Sequence, residues 1–113
     1  NAYEVGITAR TDGVYYRRVP SGREAPSGPL ARATSAEIRA EMSRRRLSGT
    51  RLAALAGLSQ SYISHRLRDQ APFTLNDIEA ICEALGHDVL LFCATVLQQM
   101  VDAQNAEKAP TER

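Results

Sequence analysis

Apolar residues recur along this chain with two different periods. In residues 3–19, YEVGITARTDGVYYRRV, they alternate loosely with polar ones; beyond residue 34 they fall three and four apart. A period near two predicts strands and a period near 3.6 predicts helices. Thr11-Asp12-Gly13 separates two β-prone runs, and Asp-Gly in that setting signals a hairpin. A lone two-stranded hairpin is marginal in water, so it would have to pack on something. Residues 20–33, PSGREAPSGPLARA, hold three of the five prolines and two of the seven glycines, and read as a linker or arm.

The helical pattern resolves into five segments. Thr34-x-x-Glu37 has the form of a capping box, followed by a sparse apolar face of Ile38 and Met42 that runs to about Arg46. Ser48 is placed to cap a short second helix to about Ala56, with Leu52, Leu55 and Ala56 inward. Ser59 caps a third, burying Ile63 and Leu67. Thr74-x-x-Asp77 is a second capping box, opening a helix that buries Ile78, Ile81, Cys82 and Leu85 and stops at Gly86. Residues 88–104 form a last helix, DVLLFCATVLQQMVDAQ, and residues 105–113 a frayed tail. The first ten residues of that last helix are apolar almost all the way round, which one buried face does not explain. The divisions expected are an arm over 1–33, a helical domain over 34–104, and the tail.

Gly57 interrupts what would otherwise be one helix from the second segment into the third. Glycine enters the left-handed region without strain, so a short helix can stop there and turn sharply. Ala53 is small enough for two helices to approach, Leu58 is the buried turn residue, Ser59 caps the next helix and Ile63 packs back. The product is a helix-turn-helix.

The run from Ser35 to about Leu90, roughly half of the chain, resembles the λ-repressor/Cro-like DNA-binding domain of phage and bacterial repressors. The resemblance rests on Leu52-Ala53, Ala56-Gly57-Leu58-Ser59 and Ile63-Ser64, and on LNDIEAICEALG, which looks like that family's fourth helix. It implies an all-α core, a helix-turn-helix bundle of about five helices, carrying a short N-terminal β-hairpin or extended arm. It also implies that the helix after Ser59 lies in the major groove, where its first residues meet base edges. Gln60, Ser61, Ser64 and His65 are then the readers of double-stranded operator DNA. A Gln amide can bond adenine N6 and N7 together, whereas His65 stands equally well as a surface histidine near phosphate. Tyr62, Arg66 and Arg68 fall to phosphate, which positions a domain without specifying sequence. Two residues depart from the family pattern. Gly49 stands where relatives often carry a phosphate-clamping Gln, so that contact is either missing or moved to Thr50 or Arg51. Arg66 occupies a usually apolar position, which suggests a slightly rotated recognition helix.

Charge adds a direction to this picture. The net charge is only +1. From Leu30 to Gln70, however, eight Arg face Glu37, Glu41 and Asp69, while from Ala71 onward Lys108 and Arg113 face seven acidic residues. A basic patch on a small domain is the footprint of a phosphate backbone. Arg44-Arg45-Arg46 ends the first helix, where cations are favoured anyway; its other reading is phosphate contact, through Arg44 and Arg45.

The remaining chemistry excludes more than it offers. There is no Gly-rich phosphate loop, no metal-ligand spacing and no nucleophile–base pair, so no enzyme activity and no cofactor is expected. His87 reads as a turn residue rather than a ligand. Cys82 and Cys93 lie in apolar helical contexts and read as reduced thiols of a cytoplasmic, nucleoid-associated protein. No run has the length of a membrane span. The chain opens at Asn1 rather than Met, as a trimmed chain does. The surplus apolar surface of the last helix points to a homodimer through Leu90, Phe92, Leu97 and Met100, or else to cover by the N-terminal hairpin. A repressor of the immunity or Cro type is the leading expectation. An antitoxin gripping a toxin through residues 1–30 and silencing its own promoter is the second, and a protein-interaction module that keeps the helix-turn-helix only as a scaffold is the third.

Overall fold

The computed structural model describes residues 25–108 and the backbone of two short strands, β1 (Ile7–Ala9) and β2 (Tyr15–Arg17). The strands pair antiparallel with Thr8 opposite Tyr16. The Thr11-Asp12-Gly13 turn and the last five residues lie outside the described residues.

Five helices follow: α1 (Pro29–Arg45), α2 (Gly49–Ala56), α3 (Gln60–Leu67), α4 (Leu75–Leu85) and α5 (Val89–Lys108). Their limits are written in the capping residues. Ser48 Oγ accepts from the Arg51 amide at 3.1 Å, and Ser59 Oγ from the Tyr62 amide at 3.1 Å. At the head of α4 the box closes both ways, Asp77 N to Thr74 Oγ1 at 3.0 Å and Thr74 N to Asp77 Oδ2 at 2.9 Å. Gly57 and Gly86 both take the left-handed conformation, φ 73°, that ends α2 and α4.

Two boundaries and one face differ from the sequence reading. α1 begins at Pro29, not Thr34, because Pro at the first helical position presets φ and forfeits no bond the helix needs there. Thr34 is therefore inside the helix, its hydroxyl donating to the Leu30 carbonyl at 2.8 Å. α5 runs on to Lys108 rather than stopping near Gln104. In α2 it is Leu52 and Ala53 that are buried, while Leu55 is exposed.

Ile38, Leu52, Ile63 and Ile81 meet at the centre with no exposure at all, joined by Cys82, Leu85, Phe92 and Val96. Every helix contributes, which fixes α3 against the rest through Ile63. α5 is two-faced. Phe92 and Val96 are buried and Val89, Cys93 and Met100 pack against the core, while Leu90, Leu91, Leu97 and Val101 are exposed. Of the residues expected at a dimer contact, Phe92 is therefore buried in the core and Met100 half-buried against it. Among the described residues no single helix is long and apolar enough to cross a membrane.

Candidate nucleic-acid interface

The outward face of α3 starts with Gln60 and Ser61, both exposed at its N-terminal end. One turn on, Ser64 and His65 are half-buried, and Arg68 stands exposed where the helix stops. Gln60, Ser64 and Arg68 share a cleft of about 300 Å³ with Gly49 and Thr50 from the head of α2. Thr50 is thus the residue beside the readers, with Arg51 exposed next to it. Gly49 is not kept small by crowding. A Cβ there would meet Leu67 Cδ1 at 3.8 Å, an ordinary contact.

A second cleft, about 530 Å³, adjoins the first through Leu67 and Arg68. It gathers Arg39, Arg46 and Arg68 with Ser43 and Ser48. Arg46 was not among the expected phosphate contacts, yet it is the member of the Arg44–Arg46 run that reaches this side. It takes a left-handed conformation, φ 55°, and ends α1. Arg39, Arg46 and Arg68, the N-terminal end of α2 and the α3 readers therefore border two adjoining clefts, whose walls also include Met42, Leu47 and Leu67.

Four expected contacts fall elsewhere. Arg44 donates to Glu41 at 2.7 Å and to Glu37 at 2.8 Å, and Arg45 pairs with Glu41 as well. Glu37 also accepts from Gln99 of α5, and His87 Nε2 lies 3.2 Å from Glu41. These pairs occupy the side of α1 that faces α5 and the α4–α5 turn, so Arg44 and Arg45 stand paired with carboxylates on a different side from the α3 clefts. The two guanidinium groups hold the Glu41 carboxyl well below the usual range, at about 2, against the opposing effect of its burial. Glu41 in turn raises the already high value of Arg44.

Tyr62 and Arg66 turn inward. The Tyr62 hydroxyl donates to Asp77 Oδ2 at 2.6 Å, and the Arg66 guanidinium carbon sits 3.6 Å from the centre of the Tyr62 ring. Arg66 is only 6% exposed, with Nε 3.9 Å from Asp77. A buried cation paired with a buried carboxylate cannot also clamp an external phosphate. Arg66 lies on the same inner face as Ile63, so a charge pair absorbs the polar residue at that position and no outward turn of the helix is needed.

Among the described residues no group of three or more metal-type side chains comes together. Cys82 and Cys93 carry no disulfide, and burial pushes the Cys82 thiol up to about 11, far from the thiolate form.

A family model described as a helix-turn-helix domain matches residues 35–91, half of the chain. The chain belongs to this helix-turn-helix family. Solved structures agree on the fold of this helix-turn-helix protein. The wild-type restriction-modification controller protein C.Esp1396I aligns at TM-score 0.62 and 20% identity, over 67% of this chain and 99% of its own. The clp gene regulator ClgR from Corynebacterium glutamicum aligns at 0.53 and 24%, over 73% and 92%. A hypothetical transcription factor NHTF from Neisseria gives 0.52 and 27%, over 73% and 94%. No curated protein sequence matches significantly. The molecule thus has the helix-turn-helix fold of DNA-binding transcription regulators, with all-α neighbours.

Proposed function

We propose that this protein is a sequence-specific repressor of the phage-immunity or Cro type, which binds double-stranded operator DNA in the bacterial cytoplasm and needs no cofactor. The observation that carries the proposal is the pair of adjoining clefts that run along α3 from Gln60 past Ser64 to Arg68, with Thr50 beside the first and Arg46 beside the second. It joins amide and hydroxyl groups suited to base edges with guanidinium groups suited to phosphate, which is the division of labour a DNA reader needs. Gln60, Ser61, Ser64 and His65 are assigned to bases, and Thr50, Arg51, Arg68 and Arg46 to the backbone. Likeness to a restriction-modification controller and to a gene regulator supports control of transcription.

The protein acts as a homodimer in this proposal. Leu90, Ala94, Leu97 and Val101 recur four, three and four residues apart along the outer side of α5, all of them exposed. That spacing makes a seam fit for a second helix, and Leu90 and Leu97 remain from the expected interface.

Gln60 gives the direct test. Gln60→Ala should cost about 1–3 kcal/mol on a duplex selected by the wild type, through loss of a bidentate amide contact. The loss should be much smaller on random duplex. Titration by mobility shift measures both, and equal losses on the two would remove Gln60 from the readers.

A further inference from the structure

α3 is only eight residues long, and its first turn is the part that carries Gln60. Ile63 seats the middle of this short helix in the core, and Tyr62 and Arg66 tie it to Asp77 of α4; its tilt on α1 depends on what holds its far end to that helix. The far end is held by three polar side chains. Asp69, just past α3, adopts a left-handed backbone, φ 61°, unusual for a residue with a side chain. Ser35 of α1, only 1% exposed, donates its hydroxyl to Asp69 Oδ1 at 2.6 Å. Arg39, one turn along α1, donates from one nitrogen to the Leu67 carbonyl at 2.6 Å, with Ser35 Oγ at 3.3 Å and Asp69 Oδ2 at 3.5 Å. The Leu67 carbonyl belongs to the last turn of α3, which has no partner inside the helix. Asp69 also accepts through its backbone carbonyl from the Ser27 amide at 3.3 Å, where the chain enters α1.

We infer that Asp69, with Ser35 and Arg39, is a positioning latch that sets the tilt of α3 on α1 and thereby the sequence discrimination of its readers. The inference rests on the base-reading role proposed above. None of the three needs to touch a base. They act through α3, because bidentate base contacts tolerate little displacement of the helix that carries them.

The decisive variant is Asp69→Gly. Glycine suits the left-handed conformation, so the turn survives while both carboxylate contacts vanish. Asp69→Asn is the conservative partner: it keeps an acceptor for Ser35, tolerates the same backbone and loses only the charge facing Arg39. Two readouts are compared in the full-length protein, with circular dichroism confirming the helices. One is amide hydrogen exchange of free protein in the last turn of α3, against Ile81 and Cys82 of α4 as controls. The other is the affinity ratio between a duplex enriched by the wild type from a randomised library and a shuffled duplex of equal composition.

Asp69→Gly should speed exchange at the end of α3 alone. It should lower the ratio about tenfold, the scale of one weakened base contact, and leave shuffled-duplex affinity nearly unchanged. Asp69→Asn should recover part of the ratio. A folded Asp69→Gly protein with wild-type exchange in α3, or with faster exchange and an undiminished ratio, overturns the inference. A wild-type protein that enriches no sequence overturns the base-reading proposal instead, and the exchange comparison still decides whether Asp69 holds α3.

Discussion

Three consecutive arginines close α1, and they divide between two sides of it. Successive helix residues point about 100° apart, so a run of like charges cannot serve one face. Arg44 and Arg45 turn toward Glu37 and Glu41, and only Arg46 reaches the groove beside Arg68. Glu41 is the centre of this arrangement, and its pH behaviour follows with a definite sign. Its pKa falls from 4.5 to about 2 on folding, chiefly through Arg45 and then Arg44. A carboxyl depressed in the folded state stabilises above its unfolded value and loses that contribution as pH falls. Glu41→Gln should therefore be less stable than wild type at pH 7, with the gap closing between about pH 4.5 and 2. Urea melts along that pH series would reveal it, and a gap that ignores pH would mean that the charge of Glu41 is not what stabilises. Sequence could name the arginines but not their partners, because the second carboxylate of Arg44 lies two turns away, and Gln99 and His87 come from α5 and the turn before it. The inward course of Arg66 is hidden in the sequence for a similar reason. Its partner Asp77 is eleven positions on, in the capping box of another helix.

At the scale of elements, two helix-opening signals that look alike in sequence end differently in the fold. Thr34-x-x-Glu37 and Thr74-x-x-Asp77 both fit a capping box, yet only Thr74 caps a helix. Pro72, two positions before Thr74, biases the chain away from helix upstream of α4. No such breaker separates Pro29 from Thr34, and the helix-forming run Leu30–Ala33 lets α1 start early. Thr74→Ala should cost about 1 kcal/mol, the usual worth of an N-cap, whereas Thr34→Ala should change stability by only a few tenths, or improve it, since alanine is the better interior residue. Thermal melts of the two variants test this, and a comparable loss at Thr34 would put the start of α1 back where the sequence suggested. The helix-turn-helix was legible because its determinants are local. Gly57 in the left-handed region, the Ser59 cap and the buried Ile63 lie within seven residues. The latch at Asp69 was not legible, since it joins residues 34 positions apart.

At the scale of the whole molecule, α5 carries the argument about assembly. Its sequence was read as apolar on too many sides for one core, and the fold divides those residues. Phe92 and Val96 close the core, while Leu90 at 76% exposure and Leu97 at 51% lie outside it. Contiguous apolar surface of this kind is rarely left bare on a small monomer, and a twofold pairing along Leu90, Ala94, Leu97 and Val101 would cover it. Such pairing would also present two α3 helices to successive major grooves about 34 Å apart. Leu97→Asp is the informative variant because Leu97 is half-exposed, so a charge there blocks pairing without entering the core; Phe92 would confuse the two effects. Sedimentation should give a wild-type dimer and a Leu97→Asp monomer of unchanged helicity. The monomer should lose affinity for a palindromic duplex far more than for one half-site, since a half-site needs only one α3. If wild type sediments as a monomer at micromolar concentration and fills the palindrome in two independent steps, the outer face of α5 is not a twofold seam.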